Sequence, residues 1–166
     1  MRPVRIYDEV KAVDDRLSQF GVTRSELATI TEMVVAERAD VIEVDALSAA
    51  GLKAYLAGVR HLRLLFLEKG FQVDRTNNIE SVVHPNSGVK IVYQSVDLAC
   101  SKYRDPLAVN GKGRAADRMV EEAQGMLFPL DEIPAMERYA KEPINKEVWF
   151  FCVSINGDDV AAELSR

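Results

Sequence analysis

At 166 residues, 48% hydrophobic and 28% charged, the chain has the size and make-up of one globular domain, able to bury a core without a disulfide or metal staple. Acids outnumber bases by 26 to 21, a net charge of −5, which argues against sequence-independent coating of nucleic acid and leaves room only for a local basic patch. Two cysteines without a Cys-x-x-Cys pair, an N-terminus with no apolar stretch behind it and a longest apolar run of Leu64 to Leu67 predict a cytoplasmic protein with no signal peptide and no membrane span.

The first seventy residues read as helical. Ile6, Val10, Val13, Leu17 and Phe20 recur at helical spacing, which predicts a first helix with one apolar stripe. That stripe must be buried somewhere, and a two-fold contact with a second copy is one solution, so a homodimer is expected. Gly21 ends the helix. Thr23-Arg24-Ser25-Glu26 has the form of a capping box opening a second helix, with Leu27, Ile30 and Val34 on its buried side. A third helix, capped by Asp45 or Ser48, is expected to turn Leu52, Tyr55, Leu56, Val59, Leu62 and Phe66 inward, and Gly70 is placed to stop it.

The period then changes from helix to strand. Residues 71–75 alternate as a half-buried strand does, and Asn77-Asn78 signals a turn. Residues 79–84 and 89–96 are two β-rich runs joined by Pro85-Asn86-Ser87-Gly88, the length of a four-residue hairpin loop. Residues 114–124 return to helical spacing, and a short helix is expected over 133–139. Residues 148–153 are apolar enough for a strand covered on both faces. Asn156-Gly157 predicts a type I′ turn into a returning strand rather than a C-terminal helix. The expected fold is α+β: helices over 1–70, then a mainly antiparallel sheet of about five strands over 71–166 with one helix inserted, in a single domain 1–166.

Most residues able to do chemistry fall between Phe71 and Arg118. Lys102, Arg104, Lys112, Arg114 and Arg118 face only two acids, Asp105 and Asp117, in that stretch. The Gly111-Lys112-Gly113-Arg114 loop could present backbone N–H groups to a phosphate or an acidic side chain, or simply turn the chain. It lacks the phosphate-loop spacing G-x-x-x-x-G-K-[ST]. Asp74, Glu80 and His84 form a second polar group, with His84 a conceivable base beside Glu80 or Asp97. Asp74, Glu80 and Lys90 suggest a metal-dependent nuclease only loosely, because the acid-x-lysine step is missing. Salt-bridged strand faces explain them more simply. Cys100 beside Lys102 and Arg104 could be an activated thiol, although no thiol-enzyme motif surrounds it and burial after Leu98-Ala99 is the plainer expectation. Cys152 reads as core and His61 as surface. Two histidines without neighbouring cysteines predict no zinc site.

No spacing among these residues names a reaction, so no catalytic residue, metal or cofactor is assigned. The expected function is a non-enzymatic regulatory, inhibitory or accessory protein that binds a macromolecular partner, preferably a protein. The profile is that of many phage and mobile-element proteins. The acidic stretch 121–147, with seven acids against Arg138, Lys141 and Lys146, could steer it onto a basic groove. The alternative is a phosphate-ligand or nucleic-acid-binding protein, or an enzyme, that uses the 102–118 basic loop.

Overall fold

The computed structural model describes residues 6–109 and 147–166. Three helices come first: α1 (Val10–Ser18), α2 (Arg24–Ala39) and α3 (Ala49–Glu68). Five strands follow: β1 (Gln72–Asp74), β2 (Ser81–Val83), β3 (Lys90–Ser95), β4 (Val148–Asn156) and β5 (Asp159–Ser165). They form one sheet in the order β1-β2-β3-β4-β5. All neighbours run antiparallel except β3 and β4, which are parallel. The fold class is therefore α+β. The helices expected over 114–124 and 133–139 lie outside the described residues. Among the described residues no helix is long and apolar enough to cross a membrane.

The local signals explain most boundaries. Thr23 Oγ1 accepts from Glu26 N at 3.2 Å and Glu26 Oε2 accepts from Thr23 N at 2.8 Å, so the capping box satisfies two backbone donors at the start of α2. Gly70 leaves α3 at φ 87°, a conformation that costs a side-chain-bearing residue about 1–2 kcal/mol. The β2–β3 hairpin closes through His84 N to Val89 O, with residues 85–88 as its loop. The β4–β5 hairpin is present, but its turn differs from expectation. Asn156 pairs with Asp159, so Gly157-Asp158 is the two-residue loop. Of the two, only Gly157 has a positive φ, 61°, which is the II′ pattern rather than I′.

Alternation along the strands divides the sheet into two faces. Val82, Ile91, Tyr93, Trp149, Phe151 and Val153 point to the helices and join Leu17, Val34, Leu62 and Phe66 in the main core. Ser81, Lys90, Val92, Cys152 and Ser154 are buried on the other face. There Val96, Ala99 and Cys152 make a second small cluster.

Two helical stripes depart from their expected form. In α1 the helix begins only at Val10. Ile6 and Val10 are exposed, Leu17 is buried, and Val13 and Phe20 pack on the core of the same chain. Phe20 meets Trp149 edge-on at 5.2 Å. The lower half of the stripe is thus used internally. In α3, Val59, Leu62 and Phe66 face the core as expected, but Leu52 and Leu56 are 52% and 53% exposed. Ala54, Ala57 and Gly58 take the inward positions instead. These small residues bring the helix backbone close to the sheet, so close that Tyr93 lies against the Gly58 Cα.

Candidate functional site

The basic stretch is only partly described. Lys102 Nζ pairs with Asp8 at 2.5 Å, and Arg104 binds Asp97 through two nitrogens at 2.8 and 3.2 Å. Asp97 also accepts from the backbone N–H groups of Leu98 and Leu107 at 2.7 and 3.0 Å. Those donors, the Arg104 guanidinium first, hold its carboxyl down to about 2. Asp97 therefore organises the 97–107 segment, and both described bases already hold a carboxylate. Lys112, Arg114 and Arg118 lie outside the described residues, as does all of the 121–147 acidic stretch except Glu147.

Asp74, Glu80 and His84 do not converge. Asp74 accepts from Lys90 Nζ at 2.5 Å, Thr76 Oγ1 at 2.6 Å and Ser81 Oγ at 3.2 Å. Burial alone would raise its pKa, but these donors outweigh it and hold the carboxyl well below the usual range. Glu80 turns to Arg63, with Arg75 at 3.6 Å. His84 sits beyond the other end of β2, about 10 Å along the strand at ~3.3 Å per residue. Its Nδ1 accepts from Ser87 N at 3.2 Å and its ring meets Phe71 edge-on at 5.1 Å. His61 is half-buried and borders the groove between α2 and α3, which Glu26 and Glu68 also line. Among the described residues no group of three or more metal-ligating side chains is placed to hold an ion.

The cysteines separate as follows. Cys152 is buried, as expected of core. Cys100 is exposed rather than buried: it lies in the loop past the end of β3, at a turn with φ 60°. Its Sγ bends back to donate to Ala162 O at 3.1 Å, and its N–H donates to the Glu163 carboxylate. Lys102 and Arg104 are engaged elsewhere. Desolvation of the sulfur and the Glu163 charge push the thiol up, away from the reactive thiolate. Iodoacetamide at pH 7 should accordingly label Cys100 more slowly than free glutathione, and Cys152 only in denaturant. Rapid labelling of Cys100 at pH 6 would contradict this geometry.

Two features are absent from the sequence reading. The first is the elbow between α2 and α3. Ile42, Val44 and Leu47 are 68%, 86% and 106% exposed, and Leu52 and Leu56 continue the apolar surface onto α3. The elbow is nevertheless braced. Ile42 N donates to Asp45 Oδ2 at 2.9 Å, Asp45 N to Ile42 O at 3.0 Å, and Lys53 Nζ holds the Asp40 carboxylate at 2.9 Å. The apolar–acidic alternation of residues 42–47 was the available signal. The second is a cavity of about 170 Å³ at the carboxyl ends of β3 and β4, bordered by Arg38, Gly51, Tyr93, Ser95 and Asn156. It exists because those strands are parallel and end on the same edge of the sheet, which no residue pattern announces. Compared with known proteins, the chain matches no family model, no curated relative and no solved structure.

Proposed function

We propose that the chain is a non-enzymatic regulatory, inhibitory or accessory protein, and that it works by docking its α2–α3 elbow onto a protein partner. The observation that carries this reading is the braced elbow with its outward Ile42, Val44 and Leu47. Exposed apolar side chains forgo roughly 1.5–3 kcal/mol each relative to burial. A loop whose backbone is braced while it presents three of them to solvent is organised for a contact, because less backbone entropy remains to be lost on binding. Glu43 and Asp45 alternate with them, so the fitting partner has an apolar groove rimmed by basic side chains. The alternative built on the basic stretch has less support. Lys102 and Arg104 are neutralised by Asp8 and Asp97, and Asp74 and Glu80 are spent on Lys90 and Arg63.

The test uses the partner recovered from the native host with this chain as bait, then purified. A Val44→Ser, Leu47→Ser variant should keep its melting temperature, since both side chains are solvated. It should bind the purified partner about 30-fold or more weakly, the loss of a ~2 kcal/mol hot spot. Wild-type affinity should fall as salt rises. Equal binding by both proteins removes the elbow from the interface. A wild-type dimer at micromolar concentration that the variant abolishes would make the occupant a second copy instead.

A further inference from the structure

We infer that the cavity at the carboxyl ends of β3 and β4 is a binding site for a small organic monocarboxylate. In open α/β sheets ligands bind in the crevice outside the carboxyl ends of parallel strands, and the one parallel pair here has its cavity at the corresponding edge. Here the cavity of about 170 Å³ has room for a handful of heavy atoms. Among the described residues its lining contains one cation, Arg38, and no acid. Among the described residues no carboxylate pairs with Arg38. A guanidinium fork without a carboxylate, at the mouth of a cavity, matches an incoming one in planar two-point geometry.

The remaining polar groups suit the same head group. Tyr93 OH and Ser95 Oγ lie 3.4 Å apart, a long contact that leaves both hydroxyls able to donate to a carboxylate oxygen. Desolvation pushes the Tyr93 phenol up to about 12, so it stays a neutral donor. Gly51, in the first turn of α3, also borders the space, where the helix end adds positive potential. Asn156 also borders the space, its amide nitrogen already donating to Asp97 O at 3.0 Å, and the other described walls are apolar: Ala54, Val96, Val109, Val153 and Ile155. One positive charge beside aliphatic walls favours a singly charged acid with an apolar body over a free phosphate, whose second charge would meet no cation among the described residues.

Titration of the full chain with 3-methylbutanoate, read by backbone amide chemical shifts, tests this. Saturable shifts are expected at Gly51, Ser95 and Asn156. The neutral amide of the same shape should bind at least tenfold more weakly. Arg38→Met should lower carboxylate affinity at least tenfold while leaving the melting temperature within a few degrees, and Arg38→Lys should retain part of it. Four results would overturn the assignment: no saturable shift at those residues, equal binding of acid and amide, undiminished binding by Arg38→Met, or tighter binding of inorganic phosphate. Should Arg38→Met fail to fold, the acid–amide comparison on the wild type decides alone.

Discussion

Asp74→Ala should cost about 3 kcal/mol of folding stability, the low end of the loss seen when one member of a buried ion pair is removed, because it strands the buried Lys90 while Asp74 itself is partly exposed. Lys90 is 6% exposed, and its ammonium has no other described carboxylate to reach. Thr76 and Ser81 would lose an acceptor at the same stroke. Urea unfolding at pH 7 measures the loss. Replacing both charges, as Asp74→Leu with Lys90→Met, should restore most of it, because no charge is then left stranded. The pair also sets an acid sensitivity. The folded pKa of Asp74 is depressed below the unfolded value of about 3.9. Its contribution is therefore complete above that unfolded value and drains away as pH falls through the folded one. Wild-type stability should decline more steeply below pH 4 than that of Asp74→Asn. Parallel declines would show that Asp74 is not the group being titrated.

Gly58→Ala should destabilise the protein by about 2 kcal/mol, although alanine is the better helix former by roughly 1 kcal/mol. The added Cβ would lie 2.2 Å from the ζ carbon of Tyr93, far inside contact distance. Tyr93 is buried between α3 and Phe151, so its ring can clear the methyl only by shifting toward the neighbouring cavity, with a loss of packing. Thermal melts should drop by about 4–8 °C for a domain of this size. Trimming the obstacle with Tyr93→Leu should make the Gly58→Ala cost shrink or vanish, a coupling that a double-mutant cycle measures directly. A neutral or stabilising Gly58→Ala in the wild-type background would mean that α3 does not approach the sheet this closely.

What was legible in the sequence was local. Thr23 and Glu26 are three residues apart and cap α2 from within one turn. The change of period at Phe71 marks the passage from helix to sheet, and Pro85 to Gly88 closes a hairpin between neighbours. The opposed charges of Asp74 and Lys90 on nearby strands read as a salt bridge, and they form one. What was not legible depended on distant partners. The phase of α3 was set by Ala54, Ala57 and Gly58, whose smallness lets the helix lie close to Tyr93, while hydrophobicity weighting favoured Leu52 and Leu56. The parallel pairing of β3 with β4 leaves no mark in either strand, so the cavity between their ends could not be seen. Arg38 stood in an ordinary helical stretch, and only the fold brings it beside Tyr93.

The one parallel pair also dictates an order of assembly. β1, β2 and β3 are joined by short turns and can form a meander, under α3, from residues close together in sequence. β3 is nevertheless the middle strand of the sheet, and its second edge waits for β4, which arrives only after the long connection 96–147. During synthesis the open edge of Ile91, Val92 and Tyr93 therefore has no native neighbour until residues 148–156 have emerged, and an unpaired apolar edge is what other nascent chains attach to. Pairing of β4 along β3 is then a closure over a large sequence distance, the kind of contact that contact order associates with slow folding. Conditions that crowd unfinished chains together should lower the yield of this protein before they lower the stability of the finished one.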